Sequence, residues 1–175
     1  MGHGLHHGSV TVRPGTEADA PALTALRNHF IAHSTATFDE SPLSTDAVGA
    51  WIGSFAREGP HRLLVACDGA APLGFACSRA YRPHPAFART VECSIYLSPQ
   101  HTGRGLGRLL YTRLFQALAG EPVHRALAGI ALPNPASVAL HERMGFTPVG
   151  VFDGYAFKRG QAISSMWMQR VMQRA

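Results

Sequence analysis

The stretch Ser98–Phe115, SPQHTGRGLGRLLYTRLF, sets Gly103, Gly105 and Gly107 among Arg104, Leu106 and Arg108, then runs at once into a helical apolar pattern. Val91–Leu97 before it reads as a strand. A strand, a short loop and a glycine-rich helix entrance form an arrangement suited to pyrophosphate. The first N–H groups of a helix lack intrahelical partners, and the positive end of its dipole faces the anion. Glycines let the anion approach the main chain, and Arg104 and Arg108 add charge. Two better-known fingerprints are incomplete here. A Rossmann loop needs a further glycine where Arg108 or Leu110 stands, and a P-loop needs Gly-Lys-Ser/Thr. The competing reading of the stretch is a plain flexible turn before a helix.

The surrounding chain alternates strands and helices. Val10–Arg13 reads as a strand. Thr16 and Asp19 resemble a capping box, and Leu23, Leu26, Phe30 and Ile31 follow at helical spacing. Ser44–Phe55 reads as a second helix, ended by Gly59-Pro60. Arg62–Cys67 and Leu73–Ala80 read as an antiparallel pair joined at Asp68-Gly69. Tyr81–Ala88 is a loop, Thr90–Leu97 a strand, Gly105–Leu118 a helix and His124–Leu132 a strand. Pro135–Met144 is a helix capped by Gly145, and Val149–Phe157 and Ser165–Val171 are closing strands. The pattern predicts one α/β domain over residues 10–172, with a mixed sheet and an N-terminal tail over residues 1–9.

Composition narrows the classes. The 175 residues, 46% of them apolar, suffice for one sizeable core. The longest apolar runs, such as Ala126–Leu132, fall far short of the ~20 residues of a membrane span. Cys67, Cys77 and Cys93 sit in strand-like stretches without metal-ligand spacing, which predicts reduced core thiols in a cytoplasmic protein and no metal centre. The N-terminal His3, His6 and His7 read as part of a terminal tail rather than a metal site. The net charge of +5 comes from fifteen arginines and the single lysine Lys158. These are scattered and accompany no nucleic-acid reading element, so a polyanionic small molecule is the better partner for them.

A second stretch, Gly129–Phe146 (GIALPNPASVALHERMGF), places Asn134 and Ser137 at the start of a helix that carries Leu140-His141-Glu142 before Gly145-Phe146. Taken with Thr102-Gly103-Arg104-Gly105-Leu106-Gly107, it resembles the GNAT superfamily of acetyl-CoA-dependent N-acetyltransferases. The first motif is similar to that family's pyrophosphate loop. The second is similar to its Asn-x-x-Ser-x-x-Leu-Tyr helix, with His141 in place of Tyr. Thr35–Ser44, Tyr81–Pro99, Ala128–Phe152 and the Lys158/Gly160 pair further resemble the phosphinothricin acetyltransferase-like branch. That branch acetylates the α-amino group of phosphinothricin, methionine sulfoximine or methionine sulfone.

The resemblance implies a GNAT fold, a central mixed, mostly antiparallel sheet flanked by helices. It also implies acetyl-CoA as co-substrate, a small amino-acid-like amine as acceptor, and a homodimer. Glu92 is the expected general base. Strand alternation puts Val91, Cys93, Ile95 and Leu97 on one face and Glu92, Ser94 and Tyr96 on the other. A carboxylate there, covered by helices, is desolvated and takes up protons more readily. The competing reading is an ion pair of Glu92 with Arg82 or Arg89. The family's splayed strand implies free amides around Ser94, Ile95 and Tyr96 for the thioester oxygen and the pantetheine arm. Asn134 and Ser137 would contact that arm. His141 would be the thiolate proton donor or a water-chain partner, against the plainer reading of a packed, satisfied histidine. Arg82 would bind the acceptor carboxylate, with Phe38 and Phe87 as apolar walls.

Three departures from the branch pattern stand out. Thr102 occupies a position usually held by Gln or Arg. Gly160–Ser164 lacks a usual Trp and Asp, and Glu121-Pro122 shortens one connection. The competing functions are a peptide or protein acetyltransferase on the same scaffold and a non-catalytic acetyl-CoA-binding module.

Overall fold

The computed structural model describes residues 10–172; the tail with His3, His6 and His7 lies outside them. Seven strands form one sheet: β1 (Val10–Pro14), β2 (Leu63–Asp68), β3 (Ala71–Ala80), β4 (Thr90–Leu97), β5 (Arg125–Ala131), β6 (Thr147–Lys158) and β7 (Gln161–Val171). Their spatial order is β1-β2-β3-β4-β5-β7-β6, and every pairing is antiparallel except β4 with β5. Four helices cover the sheet: α1 (Ala20–His33), α2 (Thr45–Gly53), α3 (Leu106–Leu118) and α4 (Pro135–Arg143).

Two apolar layers follow from the alternation of the strands. On one face Val91 and Cys93 of β4 and Ala126, Ala128 and Ile130 of β5 pack under Leu110, Tyr111, Leu114 and Leu118 of α3. On the other, Phe75 and Cys77 of β3 pack under Leu23 of α1 and Val48 and Ile52 of α2, with Tyr96 at the margin. The expected division of β4 into two faces is therefore present. Burial of such side chains contributes about 1.5–3 kcal/mol each and dominates the stability of both layers.

Local chemistry sets the element ends. The Thr16/Asp19 capping box forms, but it opens a short 3-10 turn ahead of α1. Asp19 also takes a bidentate pair from Arg13 at 2.7 and 2.8 Å. Ser44 caps α2 through Ala47 N–H. Gly105 stands just outside α3 at φ +79°, so the helix begins at Leu106, one residue later than its sequence pattern predicts. The last two strands run longer than the pattern predicts. They meet in the tight turn Arg159-Gly160, where both residues have positive φ (50° and 77°) and Lys158 pairs with Gln161. The Gly160–Ser164 segment is thus this turn and the start of β7.

Candidate active site

The parallel pairing of β4 with β5 covers only Thr90, Val91 and Glu92. β4 continues to Leu97 beside β3, so past Glu92 its outer edge has no strand beside it. Main-chain groups on that edge are left for another partner, because a strand interior otherwise satisfies them by pairing. The fork opens a slot lined by Cys93, Ser94, Ile95 and Tyr96 on β4, by Ala128–Ala131 on β5, and by Asn134, Ser137 and His141 of α4. Six residues separated by up to 47 positions in sequence, Ser94, Ile95, Tyr96, Asn134, Ser137 and His141, are thereby brought together as their motifs imply.

The glycine-rich loop stands at the end of the same strand. Gly103 and Gly105 adopt φ +74° and +79°, and a Cβ on either would meet nothing within 4 Å. Their absence of side chains therefore serves backbone conformation and leaves the approach to the helix entrance open. Gly107 has a different duty: a Cβ there would lie 2.8 Å from Leu140 Cδ2, so it lets α3 and α4 close on each other. The first N–H groups of α3 have no helical acceptor, and Arg104 and Arg108 are exposed beside them. The Thr102 hydroxyl is spent on Pro99 O at 3.2 Å.

Glu92 sits at the fork, half-buried, on the face toward α1 and α2. Burial pushes its carboxyl above the ordinary range, and the charge of Arg79, its cross-strand neighbour, partly offsets this. The ion pairs among the described residues are Arg13–Asp19, Arg27–Asp39 and Arg62–Glu121. The pairing of Glu92 with Arg82 or Arg89 does not form.

His141 is 3% exposed and both its ring nitrogens are engaged. Nε2 lies 2.8 Å from the Tyr111 hydroxyl, and Nδ1 lies 2.7 Å from Ser137 O and 3.4 Å from Ser137 Oγ. With the proton on Nδ1, donated to the Ser137 carbonyl, Nε2 accepts from Tyr111. Burial lowers the imidazole pKa, so it is held neutral. Tyr111 was invisible to sequence reasoning because it reads as one more apolar position of α3.

The three acceptor-side residues are arranged otherwise than expected. The Arg82 guanidinium is exposed and lies over the rings of Tyr81 (5.1 Å) and Phe87 (5.9 Å). Phe87 meets Tyr81 edge-on at 5.4 Å. Phe38, 42% exposed, turns its ring to Tyr155 of β6 at 6.1 Å instead of walling a pocket with Phe87. The cause lies in its neighbours. Lys158 donates to Ser34 O (2.6 Å) and Thr37 O (2.8 Å), and Tyr96 Oη donates to Ala36 O (3.0 Å). These bonds fix the loop after α1 so that Thr37 and Asp39 line the rim of a cavity of about 310 Å³ while Phe38 packs on Tyr155. Only the antiparallel register, which sets Arg79 opposite Glu92, could have pointed to this cavity.

A sheet forked between two parallel strands, with a helix N-terminus beyond each prong, is the architecture of an α/β acyltransferase of GNAT type. Comparison with known proteins agrees. The profile of the Acetyltransferase (GNAT) family matches residues 23–146, and the chain belongs to that family. It is 45% identical to a phosphinothricin N-acetyltransferase of Streptomyces coelicolor, over 92% of this chain and 95% of the relative. It is 33% identical to an L-methionine sulfoximine/L-methionine sulfone acetyltransferase of Pseudomonas paraeruginosa, over 92% of this chain and 94% of the relative. Among solved structures it resembles that of yncA from Salmonella typhimurium with its cofactor acetyl-CoA. The TM-score is 0.90 at 31% identity, covering 95% of this chain and 96% of that one.

Proposed function

We propose that the chain transfers the acetyl group of acetyl-CoA to the α-amino group of a small amino acid of the phosphinothricin, methionine sulfoximine or methionine sulfone type. The observation that carries this reading is the fork past Glu92, which opens an unpaired strand edge beside a desolvated carboxylate. The acceptors named for the relatives support the same class. The residues fit acetyl-CoA: the edge of β4 offers amides to an extended arm, and the entrance of α3 offers N–H groups and arginines to a pyrophosphate.

Acetyl-CoA supplies a thioester activated toward amines. Glu92 removes the ammonium proton, directly or through a water, and its raised pKa suits it to do so near neutral pH. Amides on the free edge around Ser94–Tyr96 stabilise charge on the thioester oxygen. Asn134 caps α4 by accepting the Ser137 N–H at its side-chain oxygen (3.1 Å), and its side-chain NH2 group donates to the arm. A neutral His141 is a poor acid. With both ring nitrogens engaged it positions Ser137 instead, and solvent supplies the proton to the departing sulfur. Arg82 binds the acceptor carboxylate, with the Phe87 ring 5.9 Å from its guanidinium.

The unit spans residues 10–172 and works as a homodimer in the cytoplasm. The apolar side chains that β6 exposes support the dimer, among them Val149 (63%), Phe152 (58%) and Phe157 (68%). Three free buried thiols are in keeping with a reducing compartment. Thiol release from acetyl-CoA, followed against a panel of these acceptors, the common amino acids, polyamines and peptides, tests the reading. Turnover confined to the amino-acid acceptors supports it. Turnover of peptides alone, or of nothing despite acetyl-CoA binding, overturns it.

A further inference from the structure

The cavity on the Glu92 face is walled by charge as well as by the fixed loop. Arg27 of α1 and Arg79 of β3 both line it, with Asp39 and Thr37 from the loop and Ser94 and Tyr96 from β4. The Arg27 guanidinium lies 4.6 Å over the Trp51 ring, which orients its plane. It stands 4.0 Å from the Asp39 carboxylate, too far for a hydrogen bond, while Thr37 Oγ1 donates to that carboxylate at 3.1 Å. Among the described residues neither Arg27 nor Arg79 donates a side-chain hydrogen bond. Each guanidinium carries five N–H donors in a rigid fork matched to a planar or tetrahedral oxyanion. Asp39 is the one carboxylate that lines the cavity with them, and both guanidinium groups keep unspent donors there.

Ser94 and Tyr96 also line the slot at the fork, so the cavity and the slot share a wall, and Arg79 of the cavity lies opposite Glu92 in the β3–β4 register. A ligand with its amino group at Glu92 can extend its side chain along β3–β4 to the two arginines. We propose that this cavity is a subsite for an anionic group at the end of the acceptor's side chain, with Arg27 and Arg79 as the specificity-determining residues. The inference rests on the acetyltransferase reading and sharpens it: among isosteric acceptors the enzyme selects those ending in a phosphinate or carboxylate over neutral ones.

Phosphinothricin and methionine sulfone make a matched pair, alike in length and tetrahedral end group but differing by one negative charge. The expected result is a kcat/KM for phosphinothricin at least about tenfold above that for the sulfone, the scale of one desolvated charged contact. Arg27→Met should remove most of that preference while kcat/KM for the sulfone and KM for acetyl-CoA stay within about twofold. Arg79→Met should remove it as well, read as the ratio of the two acceptors in the same variant, because Arg79 also acts on Glu92 and that effect cancels from the ratio. Arg79 is exposed at its strand, so its variant keeps the fold. A preference for the sulfone, or one unchanged in both variants, overturns the proposal and leaves the acetyltransferase reading standing. Turnover of neither acceptor refutes the reading of the acceptor class. The subsite is then judged by binding alone. A thermal shift produced by phosphinothricin that both variants lose upholds it, and an equal or absent shift in all three proteins overturns it.

Discussion

Replacing Lys158 with Met tests how the acceptor side of the site is built. Lys158 is 4% exposed, and its ammonium donates to Ser34 O at 2.6 Å and Thr37 O at 2.8 Å, closing the hairpin of β6 and β7 onto the end of α1. Met preserves the length of the stem and removes both donors. A hydrogen bond from a charged donor contributes about 1.5–3 kcal/mol, so the pair sets an upper range of about 3–6 kcal/mol. Ser34 and Thr37 are only half-buried, and water can satisfy part of what their carbonyls lose. The desolvation of the ammonium is also relieved. A net loss of about 3 kcal/mol remains, which for a domain of this size lowers Tm by about 6–12 °C. Because the loop carries Thr37 and Asp39 into the cavity and Ala36 into the slot, KM for the acceptor should rise about tenfold, the equivalent of 1.4 kcal/mol. KM for acetyl-CoA should change much less, since the α3 entrance lies elsewhere. Differential scanning calorimetry, steady-state kinetics and hydrogen exchange over residues 34–44 read the three effects. A variant with Tm within about 2 °C of the parent and unaltered exchange in that loop would refute the reasoning, because these two bonds would then hold nothing.

Three more outcomes are expected. Glu92→Gln should retain acetyl-CoA affinity and lose about tenfold or more in kcat, the low end for a lost general base. The parent's kcat/KM should fall on acidification with a midpoint above the ordinary carboxylate range. The same raised pKa means that the ionised form is disfavoured in the fold. Stability is therefore fullest below the unfolded-state pKa and is lost as pH rises through the folded one, so Glu92→Gln should be the more stable protein at pH 7 and lose that advantage below pH ~4. A Tm difference independent of pH contradicts this. Gly105→Val places a β-branched residue at φ +79° and a side chain on the open approach to α3. It should cost about 1–2 kcal/mol of stability and weaken acetyl-CoA in calorimetric titration, with acceptor specificity unchanged. Replacing Phe152 and Phe157 together by Asp removes apolar surface that β6 exposes by 58% and 68%. Sedimentation should show a dimer in the parent and a monomer in the variant, and two identical profiles would dismiss β6 as the contact.

Much of this protein is written locally. The glycine pattern of Gly103–Gly107, the Asn134 cap and the period-two alternation of β4 act over a few residues. Their physical basis, which is positive φ, orphan N–H groups and the pleat, needs no knowledge of distant chain. The order of strands and helices along the chain was accordingly legible in sequence, and the family was legible through the resemblance of two motifs. Side-chain roles that depend on non-local register were not. That Glu92 faces Arg79 rather than Arg82 or Arg89 is a matter of antiparallel pairing between β3 and β4. That His141 is neutral and fully bonded depends on Tyr111, thirty residues away on another helix. Phe38 points outward because a lysine 121 positions from Thr37 captures the carbonyl beside it. Sequence alone determined where a glycine-rich helix entrance follows a strand, since that arrangement is main-chain geometry. Tertiary structure alone decided what surrounds the reacting amine, because charge, desolvation and cavity shape come from groups that meet only when the sheet and its helices close.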